Sequence, residues 1–229
     1  MFLCFKSVDQ LLKTRDKILE EALRQLNEEG LDKVSIRSIA QALGISPGNL
    51  TYHFRNVDTI IQELYLELVR ELDAGLQRME NATTVLTTLL ELSEDNFFVF
   101  WKYRFILLDF IAITRRITEV RDHFRRLIAQ RHFQFKFSIE HMIAEGLLKP
   151  EEVDGQYDKL ILQSIILGNA WIPDAHIHFD DRSDAVVRFY ADLFLGMIVP
   201  YLTEKGLAEY RTWLDKRPKL RYKSYRTDP

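Results

Sequence analysis

Between Ser35 and Arg55 the chain gathers small hydrogen-bonding side chains, a phenol, an imidazole and two guanidinium groups, with no carboxylate among them (SIRSIAQALGISPGNLTYHFR). Side chains of these types make reversible polar contacts rather than covalent bonds. Gly48, Asn49, Thr51 and Tyr52 can approach and hydrogen-bond the edges of planar bases. Ser35, Arg37, Ser46, Tyr52, His53 and Arg55 suit phosphate oxygens, which position a protein on a duplex without reading its sequence. His53 and Tyr52 could equally pack at a helix end, since His53 shares a face with Leu50 and Phe54.

A second set of residues could hold a small molecule. Phe97, Trp101, Phe105 and Asp109 recur at a spacing of four, which puts a carboxylate at the end of an aromatic stripe. His132 lies between Ile128 and Phe135 on another apolar face, and Trp171 shares a face with Ser164, Leu160 and Leu167. Burying a carboxylate unpaired is costly. Trp101, Phe105, Asp109, His132 and Trp171 therefore describe either an apolar effector pocket with a few polar groups or a core with one buried hydrogen-bonded pair.

Catalytic spacings are missing. There is no glycine-rich phosphate loop, no G-x-S-x-G and no H-E-x-x-H. Cys4, near the terminus, makes a poor nucleophile. His176 and His178 have Asp174, Asp180 and Asp181 nearby but no Cys or carboxylate set at ligand spacing, so neither metal nor cofactor is expected. An enzyme on the same scaffold is the alternative that these absences disfavour.

The elements that must present the polar cluster follow from local pattern. Ile36, Ile39, Ala40 and Leu43 fall on one face of a short helix, Ser35 can cap it, and Gly44 follows where a positive φ is often needed. Ser46 then caps a second helix with Pro47 at its first position, and Ile45 and Leu50 flank that cap as a hydrophobic staple. Two short helices with a tight glycine-containing turn make a helix-turn-helix. Before it, Thr14 can cap a helix buried through Ile18, Leu19, Ala22, Leu23 and Leu26 and ended by Gly30, with residues 1–13 as an arm or a helical extension. After it, Asn56 caps a fourth helix with Asp58 in its first turn, carried on by Ile60, Ile61, Leu64, Leu68, Leu72 and Leu76.

On the ILEEALRQLNEEG helix and the run VSIRSIAQALGISPGNLTYHF, Thr14 to Ile61 resembles the DNA-binding domain of the TetR family of bacterial transcriptional regulators. The resemblance covers roughly the first quarter of the chain. It implies that the third helix reads DNA, that the larger half senses a small molecule, and that two subunits pair through a four-helix bundle. Thr51 stands where many relatives carry an aromatic residue, and Val57 where many carry a Lys that touches phosphate, which implies fewer backbone contacts here.

Composition agrees with a globular protein: 229 residues, 47 % apolar, 28 % charged and 12 % aromatic. The net charge of −3 is no polycation, but the first 56 residues hold eight Lys/Arg against seven Asp/Glu, and those acids lie mostly on the first helix. Local charge is what meets phosphate. A single cysteine excludes a disulfide framework and suits a reducing cytoplasm. The longest apolar run, Phe105 to Ile113, is too short to span a bilayer, and MFLCFKSVDQ lacks the features of a signal peptide.

From Thr84 the pattern predicts helices near 84–93, 96–113, 119–145, 155–171, 183–203 and 206–214, with breaks at Ser93-Glu94, Thr114 to Thr118, Gly146 to Pro150, Ile172-Pro173 and Gly206. The expected fold is all-α: an N-terminal helix-turn-helix domain over residues 1–60, a larger helical effector-binding and dimerisation domain over 61–215, and a basic tail over 216–229. The helices at 155–171 and 183–203 are apolar on two sides, so one side can face a second copy. The expected partners are a double-stranded DNA operator with two-fold symmetry, a largely apolar effector and a second copy of the chain. The expected role is repression, with activation and effector-independent DNA binding as the alternatives.

Overall fold

A computed structural model describes residues 2–80 and 84–217, with side chains over 13–77 and 84–217. The chain is helical and, among the described residues, contains no strand, only an isolated bridge between Leu148 and Leu202. It divides into two compact units, Met1–Val69 with Tyr103–Arg121, and Arg70–Lys102 with Asp122–Pro229. The first therefore takes in a segment that the boundary at residue 60 would assign to the larger domain.

In the first unit α1 (Phe2–Glu29), α2 (Ile36–Ala42), α3 (Pro47–His53) and the start of α4 (Val57–Glu80) are joined by α6 (Arg104–Leu108) and α7 (Phe110–Arg116). α1 begins at Phe2, so of the two readings of the leading residues the helical extension holds and the arm, with a helix start capped by Thr14, does not. The leading residues include no Gly or Pro to stop a helix. Ile18, Ala22, Leu26, Ile39, Ala40, Leu50, Ile60, Ile61 and Leu64 form the core. Gln25, almost fully buried, ties α1 to α2: it accepts from Ser38 Oγ at 2.8 Å and donates to Glu21 Oε1 at 2.8 Å. Asn27 Oδ1 accepts the Phe105 N–H at 3.1 Å, which docks α6 on α1.

In the second unit α5 (Val85–Lys102), the later part of α8 (Thr118–Ala144), α9 (Gln156–His178), α10 (Asp184–Gly196) and α11 (Glu204–Asp215) surround a core that includes Leu86, Leu90, Met142, Leu148, Ile161, Leu195 and Trp213. Three predicted boundaries need correction. α5 runs through Ser93-Glu94, because Glu94 is buried and accepts from Arg188 and, at 2.9 Å, from Arg217 Nε. α9 runs through Pro173 to His178: the proline removes one helical hydrogen bond, and Trp171, Ile172 and Ala175 are buried around it. The predicted 183–203 helix ends at Gly196, and Val199–Tyr201 forms a separate 3-10 turn. The basic tail beyond Arg217 lies outside the described residues.

Candidate nucleic-acid interface

The two short helices are held by their own caps. Ser35 Oγ accepts the Ser38 N–H at 3.0 Å, and Ser38 Oγ accepts the Ser35 N–H in return at 3.0 Å. The turn closes with Gly44 at φ +64°. Ser46 Oγ accepts the Asn49 N–H at 3.1 Å, with Pro47 at the first helical position. Asn56 Oδ1 accepts the Thr59 N–H at 2.9 Å and starts α4.

Of the seven residues of α3, Leu50 alone is buried. Ser46, Gly48, Asn49, Thr51, Tyr52 and Arg55 are all exposed, as are Ser35 and Arg37. Tyr52 is 74 % exposed, which leaves its hydroxyl well clear of the fold. Thr51 Oγ1 donates to the Gly48 carbonyl at 3.0 Å, so its methyl rather than its hydroxyl is the freer group. His53 is half-buried with its ring edge-on to Tyr52, and its Nε2 is shielded from solvent. Phe54 is buried beneath the Arg15 guanidinium, 5.2 Å from the ring centre, and Arg15 also pairs with Glu63 at 3.0 Å. These contacts fix the end of α3 to α1 and α4.

Of the residues read as a possible effector site, Trp101 and Trp171 meet in the second unit, while Phe105 and Asp109 belong to the first. The helix that would have carried Phe97, Trp101, Phe105 and Asp109 in one stripe breaks at Tyr103, which is buried at the corner between α5 and α6. Phe105 lies in the core of the first unit. Asp109, half-buried between α6 and α7, accepts the Leu31 N–H; burial pushes its carboxyl above the ordinary range, the Leu31 bond opposes this, and the charge of Asp32 adds to it. Trp101 stacks on the buried Trp171 with centroids 5.8 Å apart, and Phe97 and Tyr190 flank Trp171. His132 Nε2 lies 3.2 Å from Asp158 Oδ1, with Lys136 beside it at 3.3 Å; the Lys136 hydrogen bond, ahead of that of His132, holds the Asp158 carboxyl below its usual value.

An apolar cavity does open in the second unit, lined mainly by Leu89, Phe135, Met142, Leu160, Phe194 and Met197, with Ser93, Ser138 and Ser164 as its polar groups. None of the five residues singled out in the sequence lines it, though Ser164 does. Periodicity could not find it, because an apolar helix face looks the same whether it meets a neighbour or a hollow. Among the described residues no cluster of His, Cys, Asp or Glu could hold a metal ion, and no helix is long and apolar enough to cross a membrane.

The model of bacterial regulatory proteins of the tetR family matches residues 18–64, and that of TetR bacterial transcriptional repressors matches residues 67–210. The chain is 33 % identical over 75 residues to a probable acrEF/envCD operon repressor of Escherichia coli, covering 30 % of this chain and 34 % of that protein. It is 40 % identical over 65 residues to an HTH-type transcriptional repressor of Mycobacterium tuberculosis, covering 28 % and 33 % of the two. These matches thus span about a third of each repressor's length. A crystal structure of a TetR-family transcriptional regulator from Marinobacter aquaeolei superposes with a TM-score of 0.76 at 25 % identity, over 90 % of this chain and 99 % of that one. With both domain models matched in order and the capped pair α2–α3 in place, the chain belongs to the TetR family of bacterial transcriptional regulators.

Proposed function

We propose that the protein is a homodimeric repressor that binds an inverted-repeat operator through α3 and leaves it when a small apolar molecule occupies the second unit. The observation that carries this reading is the open polar side of α3: the side chains suited to base edges and phosphates face solvent while Leu50 anchors the helix from behind. Two copies related by a two-fold axis would place two such helices in major grooves about one helical turn, roughly 34–36 Å, apart.

Pairing is supported by apolar side chains left open on α9 and α10. Leu162, Ile166 and Ile177 on α9 are 49 %, 66 % and 78 % exposed, and Leu193 on α10 is 47 % exposed, too much apolar surface for a helix pair to leave in water. Leu162, Ile166 and Ile177 occupy a third side of α9, distinct from the two sides (Leu160, Leu167, Trp171 and Ile161, Ile165, Gly168, Ile172) marked by its periodicity. The cavity supports an effector that is neutral and largely apolar, because three hydroxyls and no charged side chain stand on its wall. To act, such a molecule must bind the DNA-competent and DNA-incompetent states with different affinities.

Selection of bound duplexes from a randomised pool tests the reading. The wild-type protein is expected to enrich an inverted repeat. Asn49→Ala is expected to change the preferred bases at a cost of about 1–3 kcal/mol on the wild-type site, whereas Tyr52→Ala and Arg55→Ala weaken binding to all sequences alike. Enrichment of sequences without two-fold symmetry, or equal loss on every sequence for Asn49→Ala, overturns it.

A further inference from the structure

We propose that the last turn of α7 belongs to the same DNA-facing surface, with Arg115 and Arg116 contacting backbone phosphate beside α3. The inference rests on the DNA-binding reading above and adds to it an element some sixty positions along the chain from the helix-turn-helix.

The anchor is an ion pair. Arg116 Nη2 lies 2.5 Å from Asp58 Oδ1. Asp58 stands in the first turn of α4, two residues after the capping Asn56 and three after Arg55. Arg116 therefore reaches the end of α4 from which the chain runs straight back into α3. Ile113 and Ile117, to either side, are buried and fix this turn within the first unit. Arg115 is exposed, and the Arg116 side chain is 51 % exposed, so both guanidinium groups are open to solvent.

Charge explains why such an addition would matter. From Ser35 to Arg55 the cations are Arg37 and Arg55. The first turn of α4 supplies Val57, Asp58 and Thr59, hence one carboxylate and no cation. A bare carboxylate next to the recognition helix would repel phosphate. Arg116 neutralises it, and a guanidinium has five N–H donors, of which this pair occupies one end. The second end is free to meet an oxygen of the nucleic-acid backbone, and Arg115 adds a further full charge.

The test is the salt dependence of binding by the full chain to a mixed-sequence duplex of about three helical turns, followed by fluorescence anisotropy. Each phosphate contact contributes about 0.9 to the slope of log affinity against log salt. Arg115→Ala and Arg116→Ala are each expected to lower the slope by about that much and to weaken binding alike on unrelated sequences. Arg116→Lys is expected to keep the slope, and Asp58→Asn to tighten binding by freeing the guanidinium. Wild-type slopes in Arg115→Ala and Arg116→Ala, with Asp58→Asn lowering only the melting temperature, would reduce the pair to a purely structural one and overturn the proposal. Should Arg116→Ala not fold, Arg115→Ala and Asp58→Asn decide the matter: a wild-type slope in the first with no tighter binding in the second overturns the proposal. A wild-type protein that binds no duplex overturns the DNA-binding reading itself, an outcome distinct from unchanged slopes in the variants.

Discussion

Asp109 places an ionisable carboxyl where the surroundings favour the neutral form. Burial raises its pKa first, and the neighbouring Asp32 charge adds to that against the Leu31 hydrogen bond. Below the ordinary carboxylate pKa the group is protonated whether the chain is folded or not. As pH rises toward the raised value, the unfolded chain gives up its proton before the folded one, so stability is lost over that interval. Asp109→Asn removes this penalty. Its melting temperature is expected to overtake that of the wild type as pH is raised from about 4 toward neutrality. A constant gap across that range, measured by thermal melts in matched buffers, would show that the carboxyl is fully solvated.

Single elements show which features are local and which are tertiary. The caps at Ser35, Ser46 and Asn56 and the turn at Gly44 were legible because each depends on neighbours within four residues. The continuity of α5 across Ser93-Glu94 was not, since what holds Glu94 comes from Arg188 and Arg217, 94 and 123 positions away. The persistence of α9 through Pro173 and the break at Tyr103 likewise depend on what packs around those residues. The same separation hid the cavity and α7, leaving the candidate DNA surface half readable and the cavity unread. Gly206 is a further case. The predicted break there is absent: Gly206 lies within the first turn of α11, three residues after the capping Thr203, whose hydroxyl accepts the Gly206 N–H at 3.1 Å. A Cβ there would fall 2.2 Å from the Leu147 carbonyl oxygen. Backbone cannot retreat as a flexible side chain can, so Gly206→Ala is expected to cost about 1–3 kcal/mol. Urea unfolding checks this, and a midpoint unchanged from the wild type would mean that α11 swings aside at little cost.

At the scale of the whole molecule, the proposed pairing of two copies and the proposed DNA contact can be separated by substitution. Ile166, well exposed on α9, lies far in sequence from α3. Ile166→Glu is expected to weaken self-association about thirtyfold, the effect of losing a central contact worth on the order of 2 kcal/mol. Sedimentation velocity reads that shift; circular dichroism should show the helices intact. Symmetric operator binding is expected to fall with it, while the monomer's weak attraction to any duplex remains. The exposure of α3 has a consequence of another kind. Apart from Leu50, its side chains contribute little to holding the fold together, and substitutions at such surface positions commonly alter stability by about 0.5 kcal/mol or less. A descendant of this protein could thus acquire a new target site by a few exchanges at Asn49, Thr51 and Tyr52, without putting its folding at risk.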